Sequence, residues 1–194
     1  MSQVTIQVYP TLLNDWARFQ AGNMEEDELL GRINRLPVVK TPEQMAGIAF
    51  EEALLSHLSG NLVEDYNVQV LDEMGTFLPS YAVTQQFVEF THKHIRFYGK
   101  ADVVGEGRVI DIKTTGSYAE PRYMRSYQNL YLYALLGQCK TMEYLITDFR
   151  NVYREVYHAE SYDFRDLLMG MEEFADFCHT NKNLITDPKI FSVN

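Results

Sequence analysis

The sequence predicts an α/β fold, a central mixed β-sheet flanked by α-helices, and two observations carry that prediction. Apolar residues recur at helical spacing in the first third of the chain, then give way from Val83 onward to short β-branched and aromatic segments separated by glycine turns. A helical pattern returns afterwards and is followed by a strand pair and a last helix. The 194 residues, 46% of them hydrophobic, suffice for one sizeable core, and no linker or composition break divides residues 1–194, so a single domain is expected.

Leu12, Leu13, Trp16 and Phe19 mark a short amphipathic helix within Tyr9 to Gln20. Ala21 to Lys40 is polar with weak periodicity and reads as a loop or flap. Thr41-Pro-Glu-Gln44 combines an N-cap threonine, proline at the first helical position and glutamine at N3, and so starts a helix running to about Leu58. On that helix Glu51 lies beside Gly47, Leu54, Leu55 and Leu58, at the edge of the apolar face. A carboxylate there calls for a reason.

Gln86 to Phe90, His94 to Tyr98 and Arg108 to Ile112 read as three consecutive antiparallel strands, with turns at Thr91-His-Lys and Gly105-Glu-Gly107. A helix is expected from roughly Arg122 to Leu136, ended by Gly137. Strands at Glu143 to Phe149 and Val152 to His158 follow, then a helix from about Phe164 to His179 with Leu167, Leu168, Met171 and Phe174 on its core face.

The composition excludes several functions. Cys139 and Cys178 are too few to ligate an iron–sulfur cluster or a structural zinc on their own. The start carries neither a basic leader nor an apolar run, and the apolar runs elsewhere are short, so a cytoplasmic chain without a membrane partner is expected. The net charge of −10 argues against a broad basic surface for nucleic acid, though not against a small basic groove or an oligomeric channel.

The chemistry concentrates in Gly99-Lys-Ala-Asp102 and Asp111-Ile-Lys113-Thr-Thr115. Strand alternation puts Asp111 and Lys113 on one face and Ile110 and Ile112 on the other. The Gly105-Glu-Gly107 turn folds Asp102 back toward Asp111, and the preceding helix can add Glu51 or its neighbour Glu52. Two or three carboxylates beside an ammonium suit Mg²⁺ or Mn²⁺, hard cations that take oxygen ligands, and the lysine can orient or help deprotonate a water attacking a phosphodiester. Asp-x-Lys alone is a weak signal. Its company is what gives it weight.

Gly47-x-x-x-Glu51, Gly99-Lys-Ala-Asp102 and Asp111-Ile-Lys113 together resemble the PD-(D/E)XK nuclease superfamily, most of all its RecB-like and lambda-exonuclease-like phage and bacterial exonucleases. The resemblance implies a restriction-endonuclease-like core with its site at one sheet edge. It also implies catalysis by Glu51, Asp102, Asp111 and Lys113, with Mg²⁺ or Mn²⁺ held by Glu51, Asp102, Asp111 and the main-chain carbonyl of Ile112. Such relatives carry a glutamine followed four residues later by tyrosine. Here Gln128 matches, Leu132 stands at the tyrosine position, and Tyr131 and Tyr133 flank it; Ala101 stands where the superfamily name has proline.

Gln128, Tyr131, Tyr118, Arg122 and Arg125 are the candidates for substrate contact. The activity implied is DNA phosphodiester hydrolysis, as an exonuclease in recombination or repair, with DNA, a recombination or helicase protein and further copies of the chain as partners. A structure-specific endonuclease, a non-cleaving nuclease-like binding module and an acidic protein that mimics DNA charge are the alternatives. His92 and His94 share a strand face but sit beside a turn, where exposure is the simpler reading than a metal pair.

Overall fold

The computed structural model describes residues 4–193. Its strands are β1 (Val4–Val8), β2 (Val83–His92), β3 (Ile95–Gly105), β4 (Arg108–Thr114), β5 (Thr141–Thr147), β6 (Val152–His158) and β7 (Phe191–Val193). Its helices are α1 (Pro10–Gln20), α2 (Glu26–Ile33), α3 (Pro42–Leu58), α4 (Val68–Phe77), α5 (Leu130–Ala134) and α6 (Arg165–Thr180). The strands form one mixed sheet in the order β6-β5-β4-β3-β1-β7, with β2 also paired to β3. The α/β class with helices flanking a mixed sheet is therefore the fold of this chain.

The hairpins follow from their turns. Lys93 between β2 and β3, and Glu106 with Gly107 between β3 and β4, take positive φ, the geometry that matches the twist of tightly connected antiparallel strands. β5 lies parallel to β4, and the chain between them crosses one face of the sheet through a 3₁₀ turn at Tyr127–Asn129 and α5. Two apolar clusters cover the sheet. Phe50 and Leu54 of α3 and Leu71 and Met74 of α4 pack on Val103, Ile110, Ile112 and Leu145. On the other face α1, α2, α5 and α6 meet Ile6, Phe97, Val109 and Tyr144.

α3 begins as its sequence dictates: Thr41 accepts from the Gln44 N–H at 3.3 Å, and Gln44 Oε1 accepts from the Thr41 N–H at 3.0 Å. Elsewhere the structure corrects the sequence reading. Within Ala21 to Lys40 stands α2, whose first turn is acidic and whose Leu29 and Ile33 are fully buried; the acidic run complements the helix dipole. β1, β7 and α4 are likewise additions. The helix expected from Arg122 shrinks to the 3₁₀ turn and α5, because the Tyr127 N–H donates to Asn14 and the Tyr123 and Met124 carbonyls accept from the Asn129 side chain in place of intrahelical bonds. No described helix is long and apolar enough to cross a membrane.

Leu54 is fully buried where α3 meets the sheet. Leu54→Ala is expected to lower the unfolding free energy by about 2–5 kcal/mol. Urea denaturation reads this, and a loss under about 1 kcal/mol would mean that α3 does not dock as described.

Candidate active site

β2 pairs with β3 along almost its whole length, so β1 and β4 must share the opposite edge of β3. β1 takes Ile95 to Phe97 and β4 takes Val103 to Gly105. Between them the sheet opens into a notch, and the first residues beyond the β3–β4 ladder are Asp102 and Asp111. Asp102 closes it: its Oδ2 accepts from the Ile112 N–H at 2.9 Å, satisfying a backbone donor that the parted strand no longer serves. The notch lies between interior strands, which corrects the expectation of a site at a sheet edge.

Asp111 is 4% exposed, and its Oδ2 lies 2.5 Å from Lys113 Nζ. Burial pushes the Asp111 carboxyl up to about 6, against the pull of Lys113 and with a further push from Asp102. Burial acts to lower the Lys113 pKa, but the Asp111 carboxylate outweighs it and the net shift is upward. The ammonium is therefore cationic at neutral pH. Asp111 Oδ2 is buried, and the Lys113 ammonium is its partner across this ion pair.

Glu51 arrives from α3, and Gly47 governs how closely that helix can lie. A Cβ at Gly47 would come within 2.9 Å of Thr114 Oγ1 on β4, so glycine allows the approach. Glu51 is half-buried while Glu52 is exposed, which separates the two candidates for the helix carboxylate. Burial, then the charge of Asp102, raises the Glu51 pKa. Its Oε1 accepts from Gln85 Nε2 at 3.1 Å, and the same amide donates to Asp102 Oδ1 at 3.3 Å.

Gln85 went unseen in the sequence. Its motif is an ordinary strand Gln-Gln, and its positive φ has no glycine or asparagine to announce it.

Among the described residues no three His, Cys, Asp or Glu side chains stand together at ligating distance. Gln85 Nε2 bridges Glu51 and Asp102, and Lys113 Nζ pairs with Asp111. The donor set nonetheless fits a hard divalent cation, being three carboxylates without a thiol. Ile112 lines the same cleft as Glu51 and Lys113.

The other candidates scatter. Tyr131 is buried against Phe97, near enough to Asp111 and Asp102 that they add to the upward shift burial gives its phenol; a Cβ at Gly99 would stand 2.6 Å from its Oη. Gln128 Oε1 is taken up by Asn14 and Ser126, and the residue does not line the cleft of Lys113. Tyr118 donates to Glu155 at 2.8 Å and packs on Tyr153. Arg122 is bound to its own loop through Thr115 and Ser117, both at 2.7 Å. Arg125 lines a separate cleft of about 360 Å³ with Tyr157 and Tyr162. His92 pairs with Glu172 at 2.7 Å, not with His94.

No family model and no curated protein matches the chain. Among solved structures it is similar to SSO0001, at 17% identity with a TM-score of 0.54, over 88% of this chain and 76% of that one. It is also similar to the “Putative exonuclease” of Eubacterium rectale, at 11% identity with a TM-score of 0.58, over 94% of this chain and 83% of that one. At such identities the likeness is one of fold.

Glu155 anchors the loop after β4, accepting from the Arg122 and Tyr123 N–H groups and the Tyr118 and Tyr157 hydroxyls. Glu155→Ala leaves these donors unpaired and is expected to cost about 2–4 kcal/mol. The Arg122 and Tyr123 amides should then exchange with deuterium at rates typical of an open loop, and unchanged protection would contradict the anchor.

Proposed function

We propose that this chain is a Mg²⁺- or Mn²⁺-dependent nuclease of the PD-(D/E)XK superfamily that cleaves DNA phosphodiester bonds, preferentially from ends. The observation that carries the reading is the meeting of Glu51, Asp102, Asp111 and Lys113 at the notch between β3 and β4, with Asp111 buried beside the Lys113 ammonium. Fold likeness to a protein named as an exonuclease supports it.

Glu51, Asp102, Asp111 and the Ile112 carbonyl would hold the cation, which when bound supplies Lewis-acid activation of water and charge neutralisation at the phosphoryl group. Lys113 acts as a cation. With its pKa raised it is protonated at neutral pH in the metal-free site, and as an ammonium it would orient water and stabilise charge growing on phosphoryl oxygens. A cleft of about 750 Å³ is lined by Lys113, Lys40 and Arg32 together with Glu51 and Glu43. Cations spaced along such a groove suit the backbone of a nucleic-acid strand.

The test incubates the protein with linear and circular DNA, single-stranded DNA and RNA, in Mg²⁺, Mn²⁺ or chelator. Linear DNA is expected to be degraded only with metal, and Asp111→Ala and Lys113→Ala to lose at least about 10²-fold in rate. Equal cutting of circular DNA selects an endonuclease. Equal activity of wild type and both variants removes the site from the reaction, and metal binding without cleavage of any substrate leaves a binding module.

The proton on Asp111 competes with the cation. Because burial holds its pKa at about 6, Mn²⁺ affinity should fall by up to about tenfold per unit as pH drops below 6 and level off above it. Calorimetric titration from pH 5 to 8 reads this, and a flat profile would place the competing proton elsewhere.

A further inference from the structure

Glu51 and Asp102 belong to different elements, and one side chain joins them. Gln85 on β2 gives its amide Nε2 to both, at 3.1 and 3.3 Å. Ionised carboxylates only accept, so the NH₂ end of the amide must face them. Asp102 already holds the Ile112 N–H through Oδ2, and Gln85 takes the remaining oxygen, Oδ1. Together the two bonds set the plane of the Asp102 carboxylate.

The backbone at Gln85 shows that this placement is not free. Thr84 pairs with Val103 and Gln86 with Ala101, so Gln85 lies opposite Asp102 with the register kept on both sides but this pair missing from the ladder, and its φ is +50°. A non-glycine residue in that region costs on the order of 1–3 kcal/mol. β3 is irregular at the same level: Ala101 packs with one apolar cluster and Val103 with the other, although residues two apart on a regular strand share a face. The side chain is exposed, so water can replace its hydrogen bonds and little net stability is gained from them. Strain kept without a stability return points to alignment.

We infer that Gln85 is a positioning residue of the cation site, holding Glu51 and Asp102 turned toward each other against their mutual repulsion so that they meet a divalent cation as a prealigned pair. The inference rests on the metal-dependent reading above. It concerns a residue on a third element, β2, outside the Asp, Asp, Lys set. Groups that orient ligating side chains typically contribute 10–100-fold to metal affinity.

The experiment titrates the full chain with Mn²⁺ by calorimetry and melts it in chelator. Gln85→Ala removes the amide and keeps the unfavourable φ; Gln85→Gly removes the amide and relieves it. Both are expected to bind Mn²⁺ about 10–100-fold more weakly, with Gln85→Gly melting at or above the wild-type temperature in chelator. Asp111→Ala separates the two possible failures. If wild type binds Mn²⁺, Asp111→Ala does not and both Gln85 variants bind within about twofold of wild type, the positioning role is overturned and the metal site stands. If Gln85→Gly alone binds as wild type, the backbone and not the amide matters, which also overturns it. Equal Mn²⁺ binding, or none, in wild type and Asp111→Ala overturns the metal site itself and the inference with it.

Discussion

The site depends on two strands that part before their residues are used up. Had β3 and β4 stayed paired, Asp102 and Asp111 would face each other across a closed ladder, with no room between them for substrate or ion. Their ladder stops at Val103 and Ile110, and the Ile112 N–H left over is met by Asp102. A carboxylate thus takes on the hydrogen bond that the missing strand would have made. Its orientation is fixed by the same need, common to all buried backbone donors, that holds sheets together. β1 then occupies the far end of the same β3 edge, so the opening is bounded by pairing on both sides.

Charge follows from that geometry. Burying Asp111 is unfavourable unless an opposite charge accompanies it, and Lys113, two residues along the same strand face, provides one at fixed distance. Alternation along β4 gives this pair at no cost in register while Ile110 and Ile112 anchor the opposite face on α3 and α4. The chain as a whole carries −10, yet the cleft at Glu51 and Lys113 also gathers Arg32 and Lys40, against Glu43 and Glu51 alone as acids. Net charge describes the average surface, and binding is decided by a local one.

What was legible in the sequence was what local rules determine. The capping box of α3, the period-2 placement of Asp111 with Lys113, and the Gly105-Glu-Gly107 turn each rest on a few adjacent residues, and each is found. What was not legible rests on partners far along the chain. β1 is a strand because it pairs with β3, and β7 because it pairs with β1. The helix expected at Arg122 gives way because Asn14, 113 residues earlier, takes the Tyr127 N–H that a continuous helix would have used. α2 had a signal that was passed over, an acidic turn followed by Leu29, Leu30 and Ile33, diluted by the polar residues around it.

The two least sequence-evident features of the site, the notch and the positive φ of Gln85, lie across from each other at one level of β3. A regular strand at Asp102 would carry its neighbours in strict alternation, and a regular strand at Gln85 would direct that side chain as the pleat demands. Both regularities fail together. An isolated irregularity in a strand relaxes unless something holds it, whereas here each is held by the other through the amide–carboxylate contact. α3 is drawn in by the same amide through Glu51, after Gly47 has let the helix approach. Local propensity is overridden where one amide joins side chains of three elements, α3, β2 and β3.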